Sequence, residues 1–372
     1  MQVNHTPLQG NTIPAYLAGV IVQTTQVGVG ILGYQRAVVE RAGHDAWISV
    51  LLAGLFVHLT IWVMCRTLQR YPSADLYGIH YDVYGKWLGR GMSILFTLYM
   101  VLSATVIIRN YIEVVQAWMF PEVPTAFFAF VFLLLALYTL LGGIRVVAGY
   151  CFITVIVVIW LVVDLYFPIQ YARWNYLLPV LDARWSELLS GMMTMSLTLI
   201  GFEMLYFVYP FVQNKQQVHR AAQWGALVSN LIYVLMMVVT LVFFSPGQLK
   251  KIIWATLILK KVVYMPFLER FEFIAISLWL FIIMPNVMLY IWASARGFKR
   301  MFAVRQRAAT SAICLVIFLS SMFFLTRQQI QTLNEWTAQV GIVLAFIYPY
   351  ILYGVVLVRQ KLRNREEEQI HS

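Results

Sequence analysis

Long runs without Asp, Glu, Lys or Arg dominate this chain. They cover 1–35, 46–65, 91–108, 123–144, 146–163, 188–202 (resuming after Glu203 to 214), 221–249, 273–295, 308–326 and 336–358. A membrane-spanning helix needs about 20 predominantly apolar residues. The pattern therefore predicts ten spanning helices, over approximately 12–36, 46–68, 92–117, 124–142, 145–167, 187–210, 218–245, 272–297, 308–326 and 336–358. The apolar character runs all round each segment, so periodicity does not say which face of a span looks inward.

Two spans carry a flaw. In the first, Gly28, Gly30 and Gly33 fall within the stretch Gln26-Val27-Gly28-Val29-Gly30-Ile31-Leu32-Gly33. Glycine in a helix interior costs roughly 1 kcal/mol against alanine, so three together predict a break. In lipid, broken backbone survives only where it is buried in protein or lines a cavity. In the sixth span, Ile200-Gly201-Phe202-Glu203 brings a glycine and a carboxylate to mid-membrane, ahead of Tyr209-Pro210. An intramembrane carboxylate needs a cavity or a partner.

Two connections are long, 69–91 and 246–271, each with a short amphipathic piece, around Leu76–Leu88 and Ile252–Leu259. They fall on opposite membrane faces and five spans apart. That is the mark of a five-plus-five inverted repeat, with repeat one over 12–167 and repeat two over 187–358. Residues 1–358 then form one polytopic domain, and 359–372 a polar cytoplasmic tail. With the N-terminus inside, 16 Lys and Arg fall on inner segments and 10 on outer ones, which predicts both termini cytoplasmic.

Composition agrees. The chain is 61% hydrophobic and only 12% charged, with mean hydropathy +0.75, against about 25% charged residues in soluble domains. The net charge of +11 is an orientation signal in loops and does not point to nucleic acid. The positive n-region of a cleavable signal peptide is missing from residues 1–35. Cys65, Cys151 and Cys314 share no metal spacing and read as packing residues. Neither a phosphate loop nor a His-Glu-x-x-His helix is present. No cofactor or metal is implied, and no enzyme.

Functional readings sit beside structural ones. Gly28, Val29, Gly30 and Ile31, with Gly201 and Phe202, would form two unwound segments holding a small ligand; the alternative is close helix packing. Glu203 is a proton-coupling or amine-binding group, or a structural acid. Tyr99 and Ser103, four apart on the third span, are candidate cavity lining. Asn286 follows Pro285 on the eighth span, where proline frees a carbonyl that Asn can cap, or Asn reaches a ligand. Arg109 and Glu113, also four apart, can pair as a structural ion pair or an outer gate. His58 reads as a hydrogen-bonded interhelical residue or a proton relay, and Asp164 as interfacial.

Gly28-Val29-Gly30-Ile31-Leu32-Gly33 resembles the first-span motif of amino acid–polyamine–organocation permeases. Ile200-Gly201-Phe202-Glu203 resembles their sixth-span motif. Within that superfamily the chain is most similar to the B subunits of bacterial spore germinant receptors, the endospore germination permeases. Supporting features are the compact ten-span length, Ala42-Gly43-His44-Asp45-Ala46-Trp47, Tyr71-Pro72 and the basic 296–307 loop.

The resemblance implies an all-α, LeuT-like fold with a central pocket between spans 1, 3, 6 and 8. It implies a germinant, often an L-amino acid, and partner A and lipoprotein C subunits in the spore inner membrane. One departure bears on mechanism. Many proton-coupled relatives place a Lys on the fifth span, and none occurs in 146–163. Ligand-gated signalling or passive permeation gains weight over ion-driven uptake. The rival expectation is a secondary amino acid transporter.

Overall fold

The computed structural model describes every residue except 1, 2, 5, 6, 8, 265–268 and 372. Part of the expected loop 246–271 and the last residue of the expected tail 359–372 thus lie outside the described residues.

The first span is built from α1 (Ala15–Gln26), a 3-10 turn (Val29–Leu32) and α2 (Tyr34–Ala42). Spans two to five are α3 (Ala46–Gln69), α4 (Leu76–Trp118), α5 (Thr125–Leu141) and α6 (Ile144–Val163), followed by the short turn α7 (Tyr166–Ile169). The sixth span comes in pieces: α8 (Trp185–Thr194), α9 (Ser196–Leu199), a 3-10 turn (Phe202–Met204), α10 (Leu205–Val208) and a 3-10 turn (Tyr209–Phe211). The seventh is α11 (Val218–Phe243). The short helices α12 (Pro246–Leu249) and α13 (Ala255–Lys261) occupy the following loop. The eighth is α14 (Phe271–Phe302) and the ninth α15 (Gln306–Ser321). The tenth joins α16 (Arg327–Gly341), a π turn (Ile342–Ile347) and α17 (Tyr348–His371).

Among the described residues six helices are long and apolar enough to cross a membrane, and α5 and α15 are shorter apolar helices. With the two broken spans they give the expected ten. The outward side chains are apolar, as at Phe130, Leu134, Ile156 and Ile159. The chain is an integral membrane protein with an all-helical fold; the one β contact among the described residues is the isolated Ile13–Val212 bridge.

Local chemistry explains the boundaries. Asp75 caps α4, its Oδ1 accepting from the Gly78 N–H at 3.0 Å. Thr326 and Gln329 form a capping box at the start of α16. Gly85, at φ +74°, breaks α4 near the end of the expected amphipathic piece, ahead of the third span. Beyond the expected end of the tenth span at 358 the helix runs on through the polar segment, α17 continuing to His371.

In the core, α14 packs along α4, while α1 packs along α11, which rests on α3. Both termini fall on one face of the bundle, here the termini face; the other is the far face.

A cavity at two helix breaks

The first break begins at Val27. Its N–H still bonds the Gln23 carbonyl at 3.1 Å, and Gly28 then turns away from helical backbone, at φ −129°, ψ −145°. The glycines allow close approach. A Cβ on Gly30 would stand 2.9 Å from Thr198 Oγ1 and 3.1 Å from Thr198 Cα.

The sixth-span break centres on Gly201, at φ +128°, a region L side chains rarely adopt. A Cβ there would also lie 2.4 Å from the Thr25 carbonyl oxygen. Glycine is therefore required twice over at this position.

Side chains stitch the breaks together. Thr25 Oγ1 lies 3.0 Å from the Gly201 carbonyl, and Gln26 Nε2 donates to the Leu199 carbonyl at 3.1 Å. The Tyr233 hydroxyl bridges the Gln26 and Thr198 carbonyls at 2.7 and 3.2 Å. These neutral donors take over carbonyls that a continuous helix would have bonded internally.

Glu203 is wholly buried. Its Oε1 accepts from the Tyr99 hydroxyl at 3.1 Å and the Tyr290 hydroxyl at 3.0 Å, and its Oε2 from the Gly201 N–H at 2.7 Å. The carboxyl closes the break on itself and ties it to α4 and α14.

A cavity of about 610 Å³ opens beside the breaks. Gly28, Ser103, Asn286 and Tyr290 line its inner part, while Arg41, Arg327 and Glu335 stand at its exposed rim on the far face. Of the residues singled out from the sequence, Gly28, Val29, Gly30, Ser103 and Asn286 line the cavity. Tyr99, Gly201 and Glu203 stand behind its wall, joined to Tyr290, which does line it. Phe202 packs edge-on against Phe346, with ring centroids 5.1 Å apart. Ile31 is buried on the side of the turn toward α6, beside Trp279 and Val158. Sequence reasoning missed Thr25, Gln26, Tyr233 and Tyr290. The signal for Tyr290 was present, one helical turn beyond Asn286.

Other expectations resolve into specific contacts. Arg109 and Glu113 do not pair. Glu113 bonds Arg327 at 2.7 Å, and Arg109 Nε donates to the Phe324 carbonyl at 2.6 Å. Partners on the loop before α16 and on α16 itself offer better geometry than the i,i+4 neighbour. Asp164, at the end of α6, is buried, because Lys260 of α13 in the following long loop reaches in to pair with it. The carbonyl freed by Pro285 is that of Phe281, and Thr154 takes it at 3.0 Å. Asn286 Nδ2 lies 3.2 Å from the Ile282 carbonyl and 3.4 Å from that of Val27, linking α14 to the end of α1. His58 pairs with Gln223 of α11, an interhelical contact. The three cysteines are buried and free.

Broken first and sixth spans around a cavity define a membrane protein of the LeuT-like transporter fold. Two solved structures share it: a Na+-coupled sialic acid symporter in a substrate-bound, outward-open state (TM-score 0.68, 12% identity, 94% of this chain and 79% of that one); and Mhp1, a nucleobase-cation-symport-1 family transporter, closed with bromovinylhydantoin bound (TM-score 0.66, 10% identity, 92% and 79%).

Sequence relatives give the narrower group. The spore permease family profile, described as "Spore germination protein", matches residues 12–330. Spore germination protein GerQB of Bacillus cereus is 37% identical over 358 residues, 96% of this chain and 99% of that protein. Spore germination protein A2 of Bacillus subtilis (strain 168) is 23% identical over 372 residues, 98% and 100% of the two chains. The chain belongs to the spore germination permease family.

Proposed function

We propose that this protein is the membrane subunit of a spore germinant receptor, and that the cavity binds a small germinant, an L-amino acid. The observation that carries the reading is the cavity itself: about 610 Å³, bordered by the first-span break and open to one face. That volume lies within the roughly 300–1,000 Å³ of small-molecule sites. Relatives named as spore germination proteins support the germination role. In this reading both termini are cytoplasmic, the membrane is the spore inner membrane, and partner A and C subunits receive the signal.

The rival reading is a secondary amino acid transporter, favoured by structural neighbours that are transporters. Where the fifth span meets the carbonyl freed in α14, it presents the neutral Thr154 hydroxyl and no cation, which weighs toward sensing over ion-driven uptake.

The test is binding of purified protein to each L-amino acid, with sugars and nucleosides alongside. Saturable binding of an amino acid is expected, and its loss in Gly30→Leu with membrane insertion intact. Unchanged binding by an inserted Gly30→Leu protein removes the cavity assignment. Concentrative uptake into vesicles driven by an ion gradient selects the transporter.

A further inference from the structure

The molecule is shut between the cavity and the termini face. Ile13, just ahead of α1, donates its N–H to the Phe211 carbonyl at 2.8 Å, and the Gln213 N–H bonds Ile13 O at 3.0 Å. Two backbone bonds thus make one unit of the termini-side ends of the first and sixth spans.

Arg296, on α14, ties that unit to its surroundings. Its guanidinium stands 4.6 Å from the centre of the Phe211 ring, which also meets Trp292 edge-on at 5.3 Å. The same guanidinium donates from Nε to Asp75 Oδ2 at 2.7 Å. Asp75, wholly buried at the start of α4, also pairs with Arg300. Burial alone would raise the Asp75 carboxyl, but Arg296 and Arg300 outweigh it and hold the group below its ordinary range. It keeps its charge at neutral pH. Removing one partner from such a buried pair leaves an uncompensated charge, and the ring contact adds a cation–π attraction on the same guanidinium.

We propose that Arg296 is a bolt. Stacked on Phe211 and paired with Asp75, it pins the joined ends of the first and sixth spans to α4 and α14, so the cavity opens to the far face alone. Its withdrawal frees those ends and lets the cavity open toward the termini. This concerns the regulation of the cavity and rests on the reading of that cavity as a ligand site.

The chain contains its own reporter. Cys65 of α3 is 3% exposed and lies beside Tyr206 and Tyr209 in the termini-side part of the sixth span. Cys314, 7% exposed, sits on α15, which packs among α4, α5 and α14. The experiment compares maleimide labelling in two single-cysteine backgrounds, one keeping Cys65 and one keeping Cys314.

Arg296→Met is expected to speed Cys65 labelling by about tenfold or more, a shift of roughly 1.4 kcal/mol in the closed population, with Cys314 unchanged. Phe211→Leu gives a smaller rise in Cys65 alone. If Arg296→Met exposes both cysteines, the fold has loosened and Phe211→Leu decides: a rise confined to Cys65 keeps the bolt. Unchanged Cys65, or a joint rise, in Phe211→Leu overturns it. Labelling needs no ligand, so it can fail while the binding test succeeds, and the reverse.

Discussion

The two breaks look alike in the sequence and differ in the fold. At the first, Gly28, Val29 and Gly30 are partly exposed and line the cavity. At the second, Gly201, Phe202 and Glu203 are buried, and a carboxyl with three donors around it holds the backbone in place. The first break is a wall that a solute can touch. The second is a joint, fixed to α4 and α14 through Tyr99 and Tyr290. Tyr290 belongs to both, since it lines the cavity and its hydroxyl bonds Glu203. In the proposed reading, a solute resting on Tyr290 would push on the joint.

That contrast can be broken by substitution. The largest effect falls at Gly201. Alanine there meets a strained φ, worth about 1–3 kcal/mol, and a backbone clash of comparable size. Gly201→Ala should lower the thermal midpoint in detergent sharply, whether or not ligand is present.

Glu203→Gln comes next. One carboxyl oxygen becomes an amide NH2, so either the Gly201 N–H faces another donor, or the tyrosine hydroxyls accept from the amide and their own protons lose an acceptor. Leaving a buried donor unmet costs about 1–3 kcal/mol. A midpoint shift of that size fits the joint; a silent substitution would remove the carboxyl from it.

Gly30→Ala is milder. Its Cβ meets the Thr198 side chain and, at 3.1 Å, the Thr198 Cα, so both must give by a few tenths of an ångström, at the low end of the roughly 1–3 kcal/mol of overpacking. It should weaken ligand binding more than it lowers the midpoint.

Gly28→Ala is smallest. The nearest atom to the new Cβ is Asn286 Nδ2 at an ordinary 3.5 Å. Stability should hold, and any change should appear in amino acid selectivity measured by competition binding. Equal midpoint losses at Gly28 and Gly201 would erase the distinction between wall and joint.

Much of this fold was legible from charge alone. Lipid excludes unpaired charge, so charge-free runs mark spans, and glycines marked both breaks because a run of them is a poor helix former and Gly201 holds a φ that L side chains rarely adopt. Partnerships across the chain were not legible. Glu113 finds Arg327, Asp164 finds Lys260, and Asp75 finds Arg296, each across a distance in sequence that no local pattern encodes. The spacing of Arg109 and Glu113 permitted a pair, but the fold supplied other partners. Side-chain direction was equally hidden. Ser103 and Tyr99 share a helix face, yet the short side chain lines the cavity while the long one reaches past it to Glu203.

The π turn at Ile342–Ile347 holds one residue more than the helix around it. Upstream, Ala338 and Gln339 line the cavity, as does Ile342 at the start of the turn; downstream, Tyr348 packs on Phe96, ring centroids 5.1 Å apart, in the sealed half. The wide turn absorbs its surplus residue, so the two stretches keep the phase an unbroken helix would give them. Deleting one residue inside the turn would restore an ordinary helix with both faces as they are, whereas deleting one from the regular helix on either side would rotate one stretch against the other by about 100°. The turn is therefore the place in this span where length can change by one residue without changing which side chains meet the cavity.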